Sequence, residues 1–271
     1  MSQYLRHWGL DASPYLRTSS PYPAPSHQEA LARIDYLVGE GRTLAVLVGE
    51  RGLGKSTTLA SAARQLRRAG HEVALVEAFG LTTRELLVQI GCQLGARVSY
   101  EDSLPQAWQR LADLGLEPTR RGTCRVILLD DAGQLGIDGQ QALERLARMP
   151  WPAGGRLSLV VAGLASQLAR CSDSFRDLVE LRIELYEWDE LTTIDYLQQA
   201  LIEAGRIAPV FTEDALYHLH ELAQGNPRQV ARLADFALVT GAAMGLDIIE
   251  SQIVEGAFRE AGWRREVASN F

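Results

Sequence analysis

Lys55 is the only lysine among 27 basic residues, and it stands in Gly49-Glu50-Arg51-Gly52-Leu53-Gly54-Lys55-Ser56. That run is the G-x-x-x-x-G-K-[ST] pattern of a phosphate-binding loop. A chain that otherwise uses arginine keeps lysine where a compact ammonium on a flexible stem must reach between two phosphates, a space a planar guanidinium fits poorly. Gly49, Gly52 and Gly54 allow backbone angles and a close approach that a Cβ would block. The N–H groups from Gly49, Glu50, Arg51, Gly52, Leu53 and Gly54 through Lys55, Ser56 and Thr57 can then face phosphate oxygens. A helix starting near Lys55 adds its positive N-terminal end. In this reading Lys55 neutralises the β- and γ-phosphates of ATP, and the Ser56 hydroxyl holds Mg²⁺.

A second constellation lies downstream. Arg125-Val126-Ile127-Leu128-Leu129-Asp130-Asp131 reads as a buried strand ending in two carboxylates, where a nucleotide hydrolase of this kind carries its Walker B motif. Asp130 is the candidate to reach Mg²⁺, usually through water, and Asp131 the candidate to polarise the attacking water. Gly225-Asn226-Pro227-Arg228 opens a later helix, with Pro at a favourable first position. Arg228 opposes the dipole at that helix start, which is electrostatically poor for a merely solvated side chain. It is the candidate to fold over the nucleotide and contact the γ-phosphate.

The elements that must position these residues follow from the apolar runs. Leu44–Val48 reads as a buried strand entering the loop, and Thr57–Ala69 as the helix leaving it. Further strands are expected at Val73–Ala78, Val126–Leu129, Leu157–Ala162 and Ile183–Tyr186, alternating with helical stretches, the pattern of a parallel sheet covered by helices. The fold class is therefore α/β, a three-layer P-loop parallel sheet followed by a small all-helical lid. The lid helices are expected at about Asp189–Ala204, Thr212–Ala223, Pro227–Thr240 and Asp247–Ala261. Residues 1–27, rich in Tyr, Trp and Pro, read as an irregular arm packed on the core. Residues 28–188 form the ATPase domain and 189–271 the lid. Ser26 with Glu29 is read as a capping box for a helix running through Val38.

Composition sets limits. At 46% hydrophobic and 23% charged residues the chain has an ordinary soluble makeup, and no apolar run approaches the roughly 18 residues of a membrane span. Arg6, His7 and Trp8 stand where a signal peptide needs apolar residues, so a cytoplasmic protein without membrane insertion is expected. Cys92, Cys124 and Cys171 lack metal-site spacing and are expected to be small buried core residues. A net charge of −7 argues against a surface that embraces nucleic acid as a whole. Local groups such as Arg64, Arg67 and Arg68, or Arg264 and Arg265, keep nucleic acid open as a partner.

Taken together, the loop, the tandem acidic strand end and the Gly-Asn-Pro-Arg turn resemble AAA+ ATPases. More narrowly, the chain resembles the ExeA/GspA group of general secretion pathway ATPases and their transposition-associated TniB/MuB-type relatives. Tyr4-Leu5-Arg6-His7-Trp8-Gly9-Leu10 followed by Pro14-Tyr15 is similar to that group's opening, and Pro25-Ser26-His27-Gln28-Glu29-Ala30-Leu31 to its first helix. The resemblance implies that Arg228 is the sensor 2 arginine and that His27 is a candidate for the adenine pocket. It also implies an arginine finger, Arg176 or in reserve Arg182, that acts on the ATP of a neighbouring copy. Such a finger is worth roughly 10³ to 10⁵ in rate, so nucleotide-dependent homo-oligomerisation is expected.

Two departures from the group's pattern carry weight. Asp131 stands where Glu is usual, one methylene shorter, and a misplacement of about 1 Å can cost roughly 100-fold. Slow hydrolysis, used as a switch or timer, is therefore one expectation. The exit of the fourth strand reads Gly163-Leu164-Ala165-Ser166-Gln167-Leu168, which leaves Ser166 and Gln167 as candidates for sensor 1. The leading functional reading is an ATPase that cleaves the β–γ bond and assembles or remodels an unidentified protein partner. The alternative is a DNA-associated ATP switch that recruits a partner. A STAND-type signalling switch fits the tandem aspartates but not the arginine of the turn, and a small-molecule kinase lacks a visible second substrate motif.

Overall fold

The computed structural model describes residues 2–15, 21–117, 123–151 and 156–262. The chain divides into two compact units, one of Pro25–Tyr186 and one of Met1–Ala24 with Glu187–Phe271. The arm thus joins the helical unit, rather than standing as a separate piece on the sheet domain. It is also not wholly irregular: Gln3–Trp8 form a short helix, α1, which Gly9 closes in the left-handed region at φ 66°. Glycine takes that conformation without Cβ strain.

The sheet unit opens with α2 (Pro25–Gly39). Pro25 occupies its first turn, so Ser26 already lies inside the helix and is not its cap. β1 (Leu44–Val48), α3 (Lys55–Arg68), β2 (Glu72–Glu77), α4 (Thr83–Leu94) and α5 (Leu104–Leu116) follow. Then come β3 (Arg125–Asp130), a 3₁₀ turn at Ala132–Gln134, α6 (Ile137–Ala147) and β4 (Leu157–Gly163). Two single-turn helices, α7 (Ala165–Leu168) and α8 (Asp173–Arg176), precede β5 (Leu181–Glu184).

The five strands are all parallel, in the order β2-β3-β4-β1-β5. Strand alternation divides their side chains between two cores. Leu44, Val46, Val48, Ile127, Leu129, Leu159 and Val161 pack with α4, α5 and α6. Ala45, Leu47, Val126, Leu128, Val160 and Ala162 pack with α2 and α3. Burial on both faces is why these strands appear in the sequence as continuous apolar runs. The two edge strands, β2 and β5, are less fully buried; β5 begins two residues before the expected Ile183 and alternates half-buried Leu181, exposed Arg182 and buried Ile183. Cys124 and Cys171 are buried, but Cys92 is exposed. On α4 the buried positions Ile90, Gly91 and Leu94 follow helical spacing, and position 92 falls outside that stripe.

In the second unit α9 (Glu190–Glu203), α10 (Glu213–Ala223), α11 (Pro227–Ala243) and α12 (Ser251–Glu260) enclose an apolar core that includes residues of the arm. Asp189, Thr212 and Asn226 cap the first three of these helices, each side chain accepting a backbone N–H. The arm is held by specific contacts. Trp8 is 1% exposed and donates Nε1–H to the Leu238 carbonyl at 2.8 Å, and the Tyr15 hydroxyl donates to the Leu197 carbonyl at 3.0 Å. Ser13 donates to Asp235 at 2.8 Å. Tyr22, Trp188 and Tyr196 form a ring cluster, in which burial pushes the Tyr196 hydroxyl up to about 12.

The arm is therefore part of the helical unit's core. Trp8→Ala is expected to destabilise that unit by about 3–5 kcal/mol, measured by urea denaturation. A loss below about 1 kcal/mol would mean that the arm lies on this core without supporting it.

Candidate functional site

The phosphate-binding loop leaves β1 at Val48, which is level with Gly163 of β4 and Glu184 of β5. A Cβ on Gly49 would lie 3.1 Å from the Leu185 carbonyl oxygen, so glycine lets the chain turn there closely against the end of β5. Gly52 and Gly54 sit at φ 91° and 92°, a region that favours glycine. Lys55 begins α3 and is 8% exposed. Its Nζ donates to the carbonyls of Gly49 at 2.6 Å and Glu50 at 2.9 Å. An ammonium withdrawn from water requires such acceptors. Thr58, one turn on, ties the loop to the helix by donating its hydroxyl to the Gly54 carbonyl at 3.0 Å. Ser56 and Thr57 are exposed on the first turn of α3, and Glu50 and Arg51 are exposed on the loop.

His27 reaches the same loop from α2. Its Nε2 lies 2.9 Å from the Leu53 carbonyl; a carbonyl oxygen only accepts, so Nε2 carries the proton. Burial, the larger influence, lowers the imidazole's pKa, and the Leu53 bond partly opposes it. The ring fills the space where a Cβ on Gly54 would stand. His27, named from sequence for an adenine pocket, is thus brought to the loop's backbone. The residues are 26 apart in sequence, and no local pattern marks this link.

The sheet brings the acidic pair to the same edge. Leu129 of β3 is level with Val161 of β4, and Val48 of β1 with Gly163, so both strands end at the C-terminal edge with β4 between them. Two strand spacings put β1 and β3 about 10 Å apart, and the carboxyl ends of the strands are where open α/β sheets bind ligands. Asp130 Oδ1 accepts the Asp131 N–H at 3.0 Å. Asp131 stands at φ 49°, ψ 30°, one of two non-glycine residues at positive φ among the described residues. Asp tolerates the left-handed region better than most side chains, which gives a backbone reason for Asp in place of Glu.

The turn after Asp131 packs on the exit of β4. A Cβ on Gly133 would lie 2.7 Å from Gln167 Cβ and 2.8 Å from its Oε1, and one on Gly163 would lie 3.3 Å from the Gly133 nitrogen. Of the two sensor 1 candidates, Gln167 is the one turned onto this acidic turn, while Ser166 is exposed.

The expected arginines stand on three different elements. Arg176 ends α8 and pairs with Asp173; Arg182 on β5 pairs with Glu184; both side chains are more than half exposed, at 55% and 58%. Arg228 is exposed in the first turn of α11, in the helical unit. Its turn is held by Gly225 at φ 65°, where any Cβ would collide with the Trp188 carbonyl. A separate groove of about 550 Å³, lined by residues including Trp108, Glu144, Arg145 and Arg148, contains none of these motif residues.

The donor set fits a nucleotide triphosphate with its metal. The loop supplies two glycines, Gly52 and Gly54, in the left-handed region and an ammonium held by its own carbonyls, and an exposed hydroxyl on Ser56 and two carboxylates on Asp130 and Asp131 suit Mg²⁺.

Residues 38–171 match the protein family described as an AAA domain. General secretion pathway protein A of Aeromonas hydrophila is 28% identical over 272 residues, covering 97% of this chain and 49% of that protein, so the chain spans about half its length. Cdc6p from Pyrobaculum aerophilum superposes with a TM-score of 0.74 at 22% identity, over 93% of this chain and 71% of that one. The Aeropyrum pernix ORC2 protein, solved as ADPNP-ADP complexes, gives 0.70 at 18% identity, over 96% and 73%. The fold is that of AAA+ P-loop proteins, and among the described residues no helix is long and apolar enough to cross a membrane.

The depressed pKa of His27 predicts a pH response. The folded state holds fewer protons than the unfolded state below the ordinary value of 6.5, so its stability is full above that pH and falls as pH drops toward the folded value. Between about pH 7.5 and about 5.5 the denaturation midpoint of the wild type is expected to fall further than that of His27→Gln. Equal losses would remove His27 from the acid response.

Proposed function

We propose that this AAA+-type P-loop protein, 97% of which aligns with about half of general secretion pathway protein A, is an ATPase. It binds ATP with Mg²⁺, cleaves the β–γ phosphoanhydride bond, and uses the cycle to assemble or remodel a protein partner. The observation that carries this reading is the buried Lys55, its ammonium held by the carbonyls of a left-handed glycine loop, at the same sheet edge as Asp130 and Asp131.

The chemistry follows from the side chains. Lys55 exchanges its hold on the Gly49 and Glu50 carbonyls for phosphate oxygens, and the N–H groups at the start of α3 face the same charge. Ser56 and Asp130 are the residues that would hold Mg²⁺, which when bound offsets charge on the phosphate oxygens. Asp131 orients the attacking water and takes its proton, and its short reach favours slow turnover. Arg228 is proposed as the lid arginine that meets the γ-phosphate. Arg176, with Arg182 in reserve, is proposed as the finger offered to a neighbouring copy; their exposure suits that role. Turnover would then depend on self-association.

The name of the Aeromonas hydrophila relative supports a partner within a general secretion pathway, and this chain corresponds to about half of that protein. A DNA-associated switch is the competing assignment for the same cycle.

ATP turnover across a range of protein concentrations, with and without duplex DNA, tests the proposal. Lys55→Ala is expected to lose nucleotide binding and at least about 100-fold in turnover. Asp131→Asn is expected to keep nucleotide affinity and lose about 100-fold in turnover. Turnover that rises with protein concentration and ignores DNA supports the protein-directed role, and stimulation by DNA that disappears in Lys55→Ala would move the switch to first place. Undiminished turnover in Lys55→Ala would refute the ATPase assignment.

A further inference from the structure

We infer that His27 is a positioning residue for the phosphate cradle, acting through the Leu53–Gly54 peptide; this rests on the reading of the loop as a nucleotide site. A trans peptide is planar, and its C=O and N–H point in opposite directions. By donating from Nε2 to the Leu53 carbonyl at 2.9 Å, His27 therefore fixes the direction of the Gly54 N–H, which must point away from the imidazole. Gly54 is the residue that most needs such control. At φ 92° and without a Cβ it can rotate its preceding peptide at little cost.

The two polar groups of Gly54 are used differently. Its carbonyl is engaged by α3, accepting from the Thr58 N–H at 2.8 Å and from the Thr58 hydroxyl at 3.0 Å. Among the described residues its N–H has no acceptor. A donor immediately before the N-terminus of α3, aimed by a buried side chain from another helix, is preorganised to receive an anion. His27 also occupies the space a Cβ on Gly54 would need, so ring and glycine are a matched pair. His27 is 9% exposed and belongs to the buried face of α2, so the brace is not a mobile surface contact.

The loss of one aimed donor is expected to weaken ATP·Mg affinity about tenfold. Titration calorimetry with ATP·Mg compares the wild type, His27→Ala, His27→Gln, His27→Asn and Lys55→Ala. The Gln amide nitrogen can occupy the position of Nε2 and donate to Leu53, whereas the shorter Asn cannot. The expected order is wild-type-like affinity in His27→Gln and about tenfold weaker binding in His27→Ala and His27→Asn. Without ligand, the Gly54 amide resonance of the weakened variants is expected to broaden or split as the peptide plane gains a second orientation. Should His27→Ala not fold, the Gln and Asn pair decides the question. Wild-type affinity in both Ala and Asn variants, alongside lost binding in Lys55→Ala, would overturn the role of His27 and leave the nucleotide site standing. A lowered melting temperature with unchanged affinity would do the same, because it would make His27 a packing residue only. Undiminished binding in Lys55→Ala would overturn the nucleotide site and with it this inference.

Discussion

An ammonium withdrawn from water must be surrounded by oxygen, and Lys55 meets that requirement by drawing the carbonyls of Gly49 and Glu50 onto itself. Once those carbonyls turn inward, the loop has to curl, and it can curl only through the left-handed angles at Gly52 and Gly54. The same curl leaves N–H groups at the start of α3 facing outward. Unpaired N–H groups at a helix start are a favourable place for phosphate. The carbonyls on Lys55 stand in for the ligand oxygens that the reading assigns to it.

The sheet unit is built to keep that concavity open and in register. β1 is flanked by β4 and β5, both parallel to it, so its end cannot shift without breaking two ladders. β4 also pairs with β3, which fixes the level of Asp130 relative to the loop. Apolar side chains bury both faces of β1, β3 and β4, leaving the C-terminal edge as the place where polar groups emerge. There the backbone is least ordinary, with Asp131 at φ 49° and Gly133 and Gly163 in close approach. Unusual backbone at a polar edge accords with a working site.

Much of this was legible in the sequence because it rests on local pattern. The apolar run Leu44–Val48 is the strand seen, and β3 and β4 differ from their expected limits by a residue or so. The glycine spacing around Lys55 announced the loop. What was missed depends on distance or edge. α1 was hidden by a composition rich in aromatics and proline, and its Trp8 finds its carbonyl 230 residues away. β5 was displaced because an edge strand needs no continuous apolar run. The His27–Leu53 bond and the Gly133–Gln167 contact join separate elements, and only the glycines hinted at crowding. Cys92 faces outward because helical phase, not residue type, decides burial.

Hydrogen–deuterium exchange of the segment 49–57, with and without ATP and Mg²⁺, tests the central claim most directly. The account predicts that these amides, slowed little in the ligand-free protein, become strongly protected on addition of ATP·Mg in the wild type and remain unchanged in Lys55→Ala. Exchange in this segment that is indifferent to saturating ATP·Mg, or equally slowed in both proteins, would contradict the assignment of the loop as the phosphate cradle.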